Sequence, residues 1–351
     1  MTAADLDDAY LEHLTDVDLG VLLGRGLPEG SSPAGWPGAV ERSRGGASAP
    51  ALRRLAREAG VERLLARPEV GELVLPRGEA GPSAGHGWGG AGDEANLAAV
   101  SPFLVFAVAV QASVAGIDRA TYVEEWVGPG KRTPVFDAPR LREFLADGRR
   151  RLFLTELLAS YTRVASGSRI VATRRGYRRQ RFSELDPVRL AGLLEAVAPE
   201  ERPGVLRRLG DLALFLTGVF PDHVARRGFA PIEEARLLRA GAGAGLAFGR
   251  PAPRLDEPAD RRAAGASRAA LPPAGSSAAA FTGDGGAVGL LDRLGRRWYE
   301  AAYQLMPRPV PAALAVIGEH PERFGEARRI LNHLTDRHLF ARRDRFFGRG
   351  L

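Results

Sequence analysis

The most regular spacing of apolar and polar positions lies in the middle of the chain, at 96–240. This region opens with the run PFLVFAVAVQASVAG at 102–116, which is shorter than the roughly 20 residues that span a bilayer and predicts a buried core helix. The segment 212–220 is apolar on nearly every side and predicts a second buried helix. A helix with one buried face is indicated by the i, i+3, i+4, i+7 spacing of Leu154, Leu157, Leu158 and Tyr161.

Apolar stripes return near the end of the chain, within 288–345. Two successive helices are indicated there, and we predict that they pack back onto the central core. The first stripe consists of Leu291, Leu294, Trp298, Ala301 and Leu305. The second consists of Phe324, Ala327, Leu331, Leu334 and His338.

Stretches rich in glycine, alanine, proline and serine interrupt this pattern, and such a composition predicts linkers. The predicted linkers are 26–50, 76–95 and 241–287. The intervening parts predict a short N-terminal helix within 1–25 and a helical pair within 51–75. The second helix of that pair, in LAREAGVERLLAR, resembles the recognition helix of a helix-turn-helix, with two plain helices as the simpler interpretation.

One β-hairpin is predicted, in SRIVATRRGYRRQRF at 168–182, because Gly176 tolerates the backbone of a tight turn between alternating residues. The helix after it should begin at Asp186 and Pro187, a cap followed by proline at the first position. The segment 120–137 predicts irregular or short-strand structure. The predicted fold class is mainly α, a helical core with a minor β-hairpin, interrupted by Gly/Ala/Pro-rich linkers.

The chain contains no cysteine, which excludes disulfides, thiolate metal sites and cysteine nucleophiles. The absence of cysteine fits a reducing compartment. The first residues, MTAADLDDAYLEHL, are acidic and lack the apolar segment of a secretory signal. We therefore predict a cytoplasmic protein.

The formal net charge is +7, with a pI of about 10.4, which ordinarily favours polyanionic partners. Lys131 is the only lysine, however, so nearly all the basic charge is arginine. Such a skew is typical of GC-rich genomes, where it arises without any function. The basicity therefore has two open interpretations, a polyanion surface or codon bias.

Several catalytic and cofactor motifs fail on their context. GPSAG at 81–85 lacks the strand and helix that a nucleophile elbow needs, and VGPGKRTP lacks the first glycine and the Ser or Thr of a P-loop. GAGAGLAFG follows a helical segment, unlike a dinucleotide loop. His333 and His338 are five positions apart and do not share a helix face, so we expect no metal, with His338 in the core and His333 solvated. No cofactor is predicted.

The arginine-rich hairpin is the first candidate site. Guanidinium groups match phosphate or carboxylate oxygens and aromatic rings stack on bases, so it predicts binding of nucleic acid or an acidic protein. Alternatively, the charges only protect an exposed strand edge from aggregation. The candidate residues are Arg169, Arg174, Arg175, Tyr177, Arg178, Arg179 and Arg181.

The second candidate is a pocket around Asp211, which lies at the edge of a strongly apolar helix. A buried carboxylate needs a partner, and a structural ion pair is the simplest interpretation. The alternative is a small-ligand pocket or an enzyme site. The residues that could converge there are Glu156, Tyr161, Tyr299 and Tyr303.

Three segments, SPFLVFAVAV, YVEEWVGPGKRTPVFD and LRRLGDLALFLTGVFPDH, give the chain a family resemblance. It resembles a group of uncharacterised soluble proteins from high-GC actinobacteria. The resemblance covers roughly 101–223 and implies a cytoplasmic bacterial origin, but no mechanism. The leading hypothesis is a non-catalytic binding or regulatory protein that uses the arginine-rich hairpin, with a purely structural adaptor as a further alternative.

Overall fold

The computed structural model describes residues 2–24, 48–75, 99–163, 166–173, 176–242, 286–318, 320–339 and 343–347. Helices predominate, and the strands form two separate antiparallel hairpins. The predicted fold class, mainly α with a minor β component, is confirmed. The predicted linkers lie almost entirely outside the described residues.

The N-terminal segment forms two helices instead of the single one expected, α1 (Ala3–His13) and α2 (Asp16–Leu22). Each begins with a capping box, in which a threonine side chain accepts from the third helical amide while an aspartate accepts from the threonine backbone. The second box, at Thr15 and Asp18, starts a new helix directly after the first one ends.

The predicted helical pair is a set of three short helices, α3 (Ala49–Ala59), α4 (Val61–Leu65) and α5 (Pro68–Val74). Gly60 separates the first two with φ of 81°. In α4, Val61, Leu64 and Leu65 are buried. With only five residues, three of them buried, α4 favours the interpretation as plain helices, and the helix-turn-helix alternative stays a prediction.

The core is built around two long helices that are buried on almost all sides. The first is α6 (Pro102–Asp118), which begins where Ser101 Oγ accepts a 3.2 Å hydrogen bond from the Leu104 amide. The remaining helices, in chain order, are α7 (Ala138–Ala146), α8 (Gly148–Ser160), α9 (Pro187–Ala191), α10 (Arg202–Val219), α11 (Pro221–Arg227), α12 (Pro231–Ala242), α13 (Gly286–Leu305), α14 (Ala312–Gly318), α15 (Arg323–Leu334) and α16 (Arg343–Phe347).

Both α13 and α15 pack against α10, the second of the two long buried helices. Their close approach depends on Gly295, where a β-carbon would lie 2.6 Å from the Phe324 ring and 2.8 Å from the Ala213 side chain. The buried apolar residues of α1–α5 belong to the same hydrophobic cluster as those of the central helices. The predicted buried helices at 102–116 and 212–220 are therefore confirmed.

The segment 120–137 forms a hairpin of β1 (Val123–Gly128) and β2 (Lys131–Val135). It is fixed to α11 by Asp222, whose Oδ1 accepts 2.7 Å from Trp126 Nε1 and 3.1 Å from the Gly130 amide. Of the two expectations for this segment, irregular or short-strand structure, the structure shows the short strands, and contacts distant in sequence hold them.

The C-terminal helix α15 continues into a π-helical turn at Thr335–Leu339. This turn changes the angular spacing of side chains, so the predicted apolar stripe does not extend to His338. His338 is half-buried, while His333 is only 7% exposed and lies against Gly116. The expectation of a solvated His333 is therefore wrong.

Candidate functional site

The arginine-rich segment forms a two-stranded ribbon, β3 (Ser166–Thr173) and β4 (Gly176–Ser183). The strands pair antiparallel in register, from Ser166 opposite Ser183 to Thr173 opposite Gly176. The two residues between the strands, Arg174 and Arg175, lie outside the described residues. The register makes this a continuous ribbon of eight pairs, which we call the arginine ribbon.

The arginine ribbon is anchored at its base. Glu184, the first acidic residue after β4, lies 3.2 Å from Arg208 of α10. The Asp186 carboxylate accepts from the amides of Val188 and Arg189 at 3.0 and 3.2 Å and so caps α9, which contacts β4. Asp186 and Pro187 therefore start the helix as predicted.

The register distributes the ribbon's arginines over both of its faces. Arg179 and Arg181 share one face with Tyr177, because residues two apart on a strand lie on the same side. Arg178 lies on the opposite face together with Gln180. Arg169 lies on that face too, because it is the register partner of Gln180. Each face therefore holds two of the candidate arginines.

The exposure of Ile170 shows whether the helices cover this part of the ribbon. It is the register partner of Arg179, and it is 70% exposed. An isoleucine in a strand normally packs against a neighbouring layer. The helices therefore leave this position of the ribbon uncovered, on the face that carries Arg179 and Arg181.

A second group of basic side chains lies next to the base of the ribbon, on α11. Arg226 and Arg227 are exposed, and no described carboxylate lies within ion-pair distance of either guanidinium. Arg227 and His223 line a shallow crevice together with Leu185 and Pro187, which directly follow β4. Partial burial, with Arg227 and Arg226 nearby, lowers the pKa of His223.

Several arginines in other parts of the described structure are engaged within the protein. Arg328 and Arg329 of α15 both contact Glu125 of β1, with N–O distances of 2.5 and 3.1 Å. Arg151 pairs with Glu62 at 2.7 Å. These contacts tie hairpins and helices together, so abundant arginine by itself does not indicate a ligand.

The second candidate, Asp211, is buried in the contact between α10 and α13. Tyr299 Oη donates a 2.5 Å hydrogen bond to Asp211 Oδ1, and Arg207 Nε lies 3.9 Å from Oδ2. Burial raises the pKa of Asp211, although Arg207 and the tyrosine hydrogen bond act in the opposite direction. The partner of this carboxylate is thus primarily a tyrosine.

Tyr161 also lies near Asp211. Its ring stacks on Phe215 at 4.2 Å between centroids, and the Arg208 guanidinium lies 4.1 Å from its ring centre. Its hydroxyl is buried without a hydrogen-bond partner among the described residues. Burial raises the pKa of the Tyr161 and Tyr299 hydroxyls well above the ordinary value.

Two residues expected around Asp211 lie elsewhere. Glu156 is 3.2 Å from His13 of α1, and Tyr303 packs against Gly318 and the Arg308 guanidinium. The Tyr299 ring fills the space beside Gly210, where a β-carbon would lie 2.8 Å from it. This packing favours a structural polar contact over a ligand pocket.

Comparisons with protein-family models, curated proteins and solved structures give no match. The resemblance to an actinobacterial group therefore stays a prediction. Within the ranges that the structure describes, no helix combines the length and apolar character needed to cross a membrane. Nor do three histidine or carboxylate side chains come together there in a way that could hold a metal ion.

Proposed function

We propose that this chain is a non-catalytic, cytoplasmic binding protein whose arginine ribbon holds a polyanion, either nucleic acid or an acidic protein. This proposal rests on where the surplus of basic residues lies along the chain. The segment 157–183 contains seven arginines and no acidic residue. The whole chain has 49 basic and 42 acidic residues, so outside this segment 42 basic residues balance 42 acidic ones.

This distribution argues against codon bias as the whole explanation. A genome-wide preference for arginine codons would spread the surplus over the chain. Here the surplus of +7 equals the charge of one ribbon and its immediate flank. Concentrated positive charge raises the local concentration of a polyanion and accelerates its association.

The chemistry of the ribbon suits phosphate or carboxylate oxygens. A guanidinium group presents paired N–H donors that bind such oxygens bidentately, and release of counterions from the polyanion adds to the affinity. The uncovered position at Ile170 supports access to one face. Because nothing in this proposal requires bond making, the ribbon acts by binding alone.

A filter-binding assay with nucleic acid and with polyglutamate tests the proposal. In one variant Arg169, Arg174, Arg175, Arg178, Arg179 and Arg181 are replaced by alanine; in the matched control the same six are replaced by lysine. Wild type should bind at least one polyanion with affinity that falls steeply with salt. The alanine variant should lose this binding and the lysine variant should keep most of it. The absence of salt-sensitive binding, or an alanine variant equal to wild type, contradicts the proposal.

A further inference from the structure

The two-sided placement of arginine restricts which polyanion fits the ribbon. A flat acidic protein surface can face only one side of a two-stranded ribbon. Yet Arg179 and Arg181 lie on one face, while Arg169 and Arg178 lie on the other. Both faces meet negative charge at once only when the ribbon enters a groove between two rows of anions.

The major groove of B-form DNA is such a groove. It is about 12 Å wide, is bordered by phosphates on both sides and admits a two-stranded β-ribbon. Because side chains project from the two faces of a ribbon, a ribbon that enters this groove edge-on directs one face toward each wall. The narrow, deep major groove of an RNA duplex does not admit one.

Single-stranded nucleic acid fits the ribbon less well. Single strands are held largely by stacking of successive bases on aromatic side chains. The ribbon has two aromatic residues, and the register places them on opposite faces, with Tyr177 paired to Ala172 and Phe182 paired to Gly167. They therefore do not form one stacking platform.

The basic group on α11 provides a second contact area at the base of the ribbon. Arg227 lines the same crevice as Leu185 and Pro187, so the exposed end of α11 lies beside the point where β4 leaves the ribbon. Arg226 and Arg227 are exposed and have no ion-pair partner among the described side chains. Asp222 holds α11 rigidly through Trp126.

We propose that the polyanion is duplex DNA, with the arginine ribbon in the major groove and Arg226 and Arg227 on flanking phosphates. This assignment rests on the proposed function. A different role for the two α11 arginines is stabilisation of their own helix, since cations in the last turn interact favourably with the helix dipole. That role requires no ligand, so binding measurements separate the two.

Competition binding with four probes tests the assignment: a DNA duplex, one of its strands, an RNA duplex of the same sequence, and polyglutamate. The DNA duplex should bind at least about tenfold more tightly than the others. The double variant Arg226→Ala, Arg227→Ala should have a shallower fall of log affinity with log salt, by about 0.9 in slope for each lost phosphate contact. The matched control, Arg54→Ala with Arg67→Ala, removes the same charge from exposed positions on α3 and directly before α5 and should leave the slope nearly unchanged.

The outcomes are distinguishable. Equal binding of the single strand or of the RNA duplex overturns the duplex assignment and leaves polyanion binding standing. Tighter binding of polyglutamate than of every nucleic acid also overturns the duplex assignment and indicates an acidic protein as the partner. A double α11 variant with the slope of wild type removes α11 from the surface. Failure of all four probes to bind contradicts the proposed function itself.

Discussion

Tyr299 on α13 donates a 2.5 Å hydrogen bond to the buried carboxylate of Asp211 on α10. The bond joins the two longest described helices at a point where both side chains are shielded from water. A buried polar group without a hydrogen-bond partner costs free energy of folding. The hydrogen bond between these two side chains offsets that cost for both of them. This pair therefore fixes how the two helices meet.

Replacement of Asp211 by alanine leaves the Tyr299 hydroxyl without its acceptor. We expect Asp211→Ala to lower the free energy of unfolding by about 1–3 kcal/mol, the usual cost of a buried unsatisfied group. Asp211→Asn keeps an acceptor oxygen and should cost less than about 1 kcal/mol. Urea denaturation measures both, and equal losses in the two variants would show that the hydrogen bond contributes little.

The buried His333 predicts acid sensitivity. Burial, with Arg337 and His338 nearby, lowers its pKa from 6.5 to about 4. Between pH 6.5 and 4 the unfolded chain binds a proton at His333 that the folded chain does not bind. The contribution of this histidine to the free energy of unfolding is therefore fully present above pH 6.5 and is lost as the pH falls toward 4. The contribution is about 1.4 kcal/mol per pH unit.

His333→Gln removes this titration. Measured by denaturation across that pH range, the variant should show a shallower loss of stability than wild type, whatever its stability at neutral pH. Parallel curves for the two proteins would mean that His333 already accepts a proton in the folded state.

Glu125 predicts a second large effect on stability. It is shared by Arg328 and Arg329, and its side chain is only 15% exposed. Glu125→Ala removes one carboxylate from two partly buried guanidinium groups, each of which keeps a second carboxylate partner, and should cost about 1.5–3 kcal/mol. Glu124→Ala, at the exposed neighbouring position, should change stability by less than about 0.5 kcal/mol. Thermal unfolding of the two variants compares them, and similar melting temperatures would contradict this account.

Two helical glycines should respond in opposite directions to alanine. At Gly295 a β-carbon would lie 2.6 Å from Phe324, so Gly295→Ala should destabilise the protein by about 1–3 kcal/mol. At Gly204 nothing lies within 4 Å of that position, so Gly204→Ala should stabilise it by about 0.4–1 kcal/mol through reduced freedom of the unfolded chain. Denaturation midpoints check the pair. A Gly295→Ala variant as stable as wild type would show that packing at Gly295 is looser than described, and a destabilised Gly204→Ala variant would contradict the open space at Gly204.

The sequence predicted those elements whose cause is local. Apolar periodicity located α6 and α10, and the Asp186-Pro187 start of α9 follows from backbone rules alone. For β1 and β2 the sequence left irregular and short-strand structure as alternatives, because the support of this hairpin is distant, from Asp222 and from the arginines of α15. The burial of His333 was missed because its cause is also distant in sequence: the ring lies against Gly116 of α6.

The residues around Asp211 show the same limit. Tyr299 and Tyr303 are one turn apart on a shared face, yet four residues advance a helix by about 6 Å, and only Tyr299 reaches Asp211. Glu156 and Tyr161 are five positions apart, which separates them by about 140° around the helix. Sequence spacing shows which residues share a face of a helix. It does not show which of them lies opposite a given residue of the neighbouring helix, because that depends on the relative axial position of the two packed helices.

The salt dependence of DNA binding tests the central claim most directly, that the surplus charge of this chain forms a surface for a polyanion. Affinity for a DNA duplex is measured against salt for wild type and for the variant with alanine at the six ribbon arginines. Wild type should give a steep linear fall of log affinity with log salt, and the variant should lose about 0.9 of slope for each phosphate contact removed. Identical slopes for the two proteins would contradict the account, and so would a lack of binding at low salt to the DNA duplex and to polyglutamate alike.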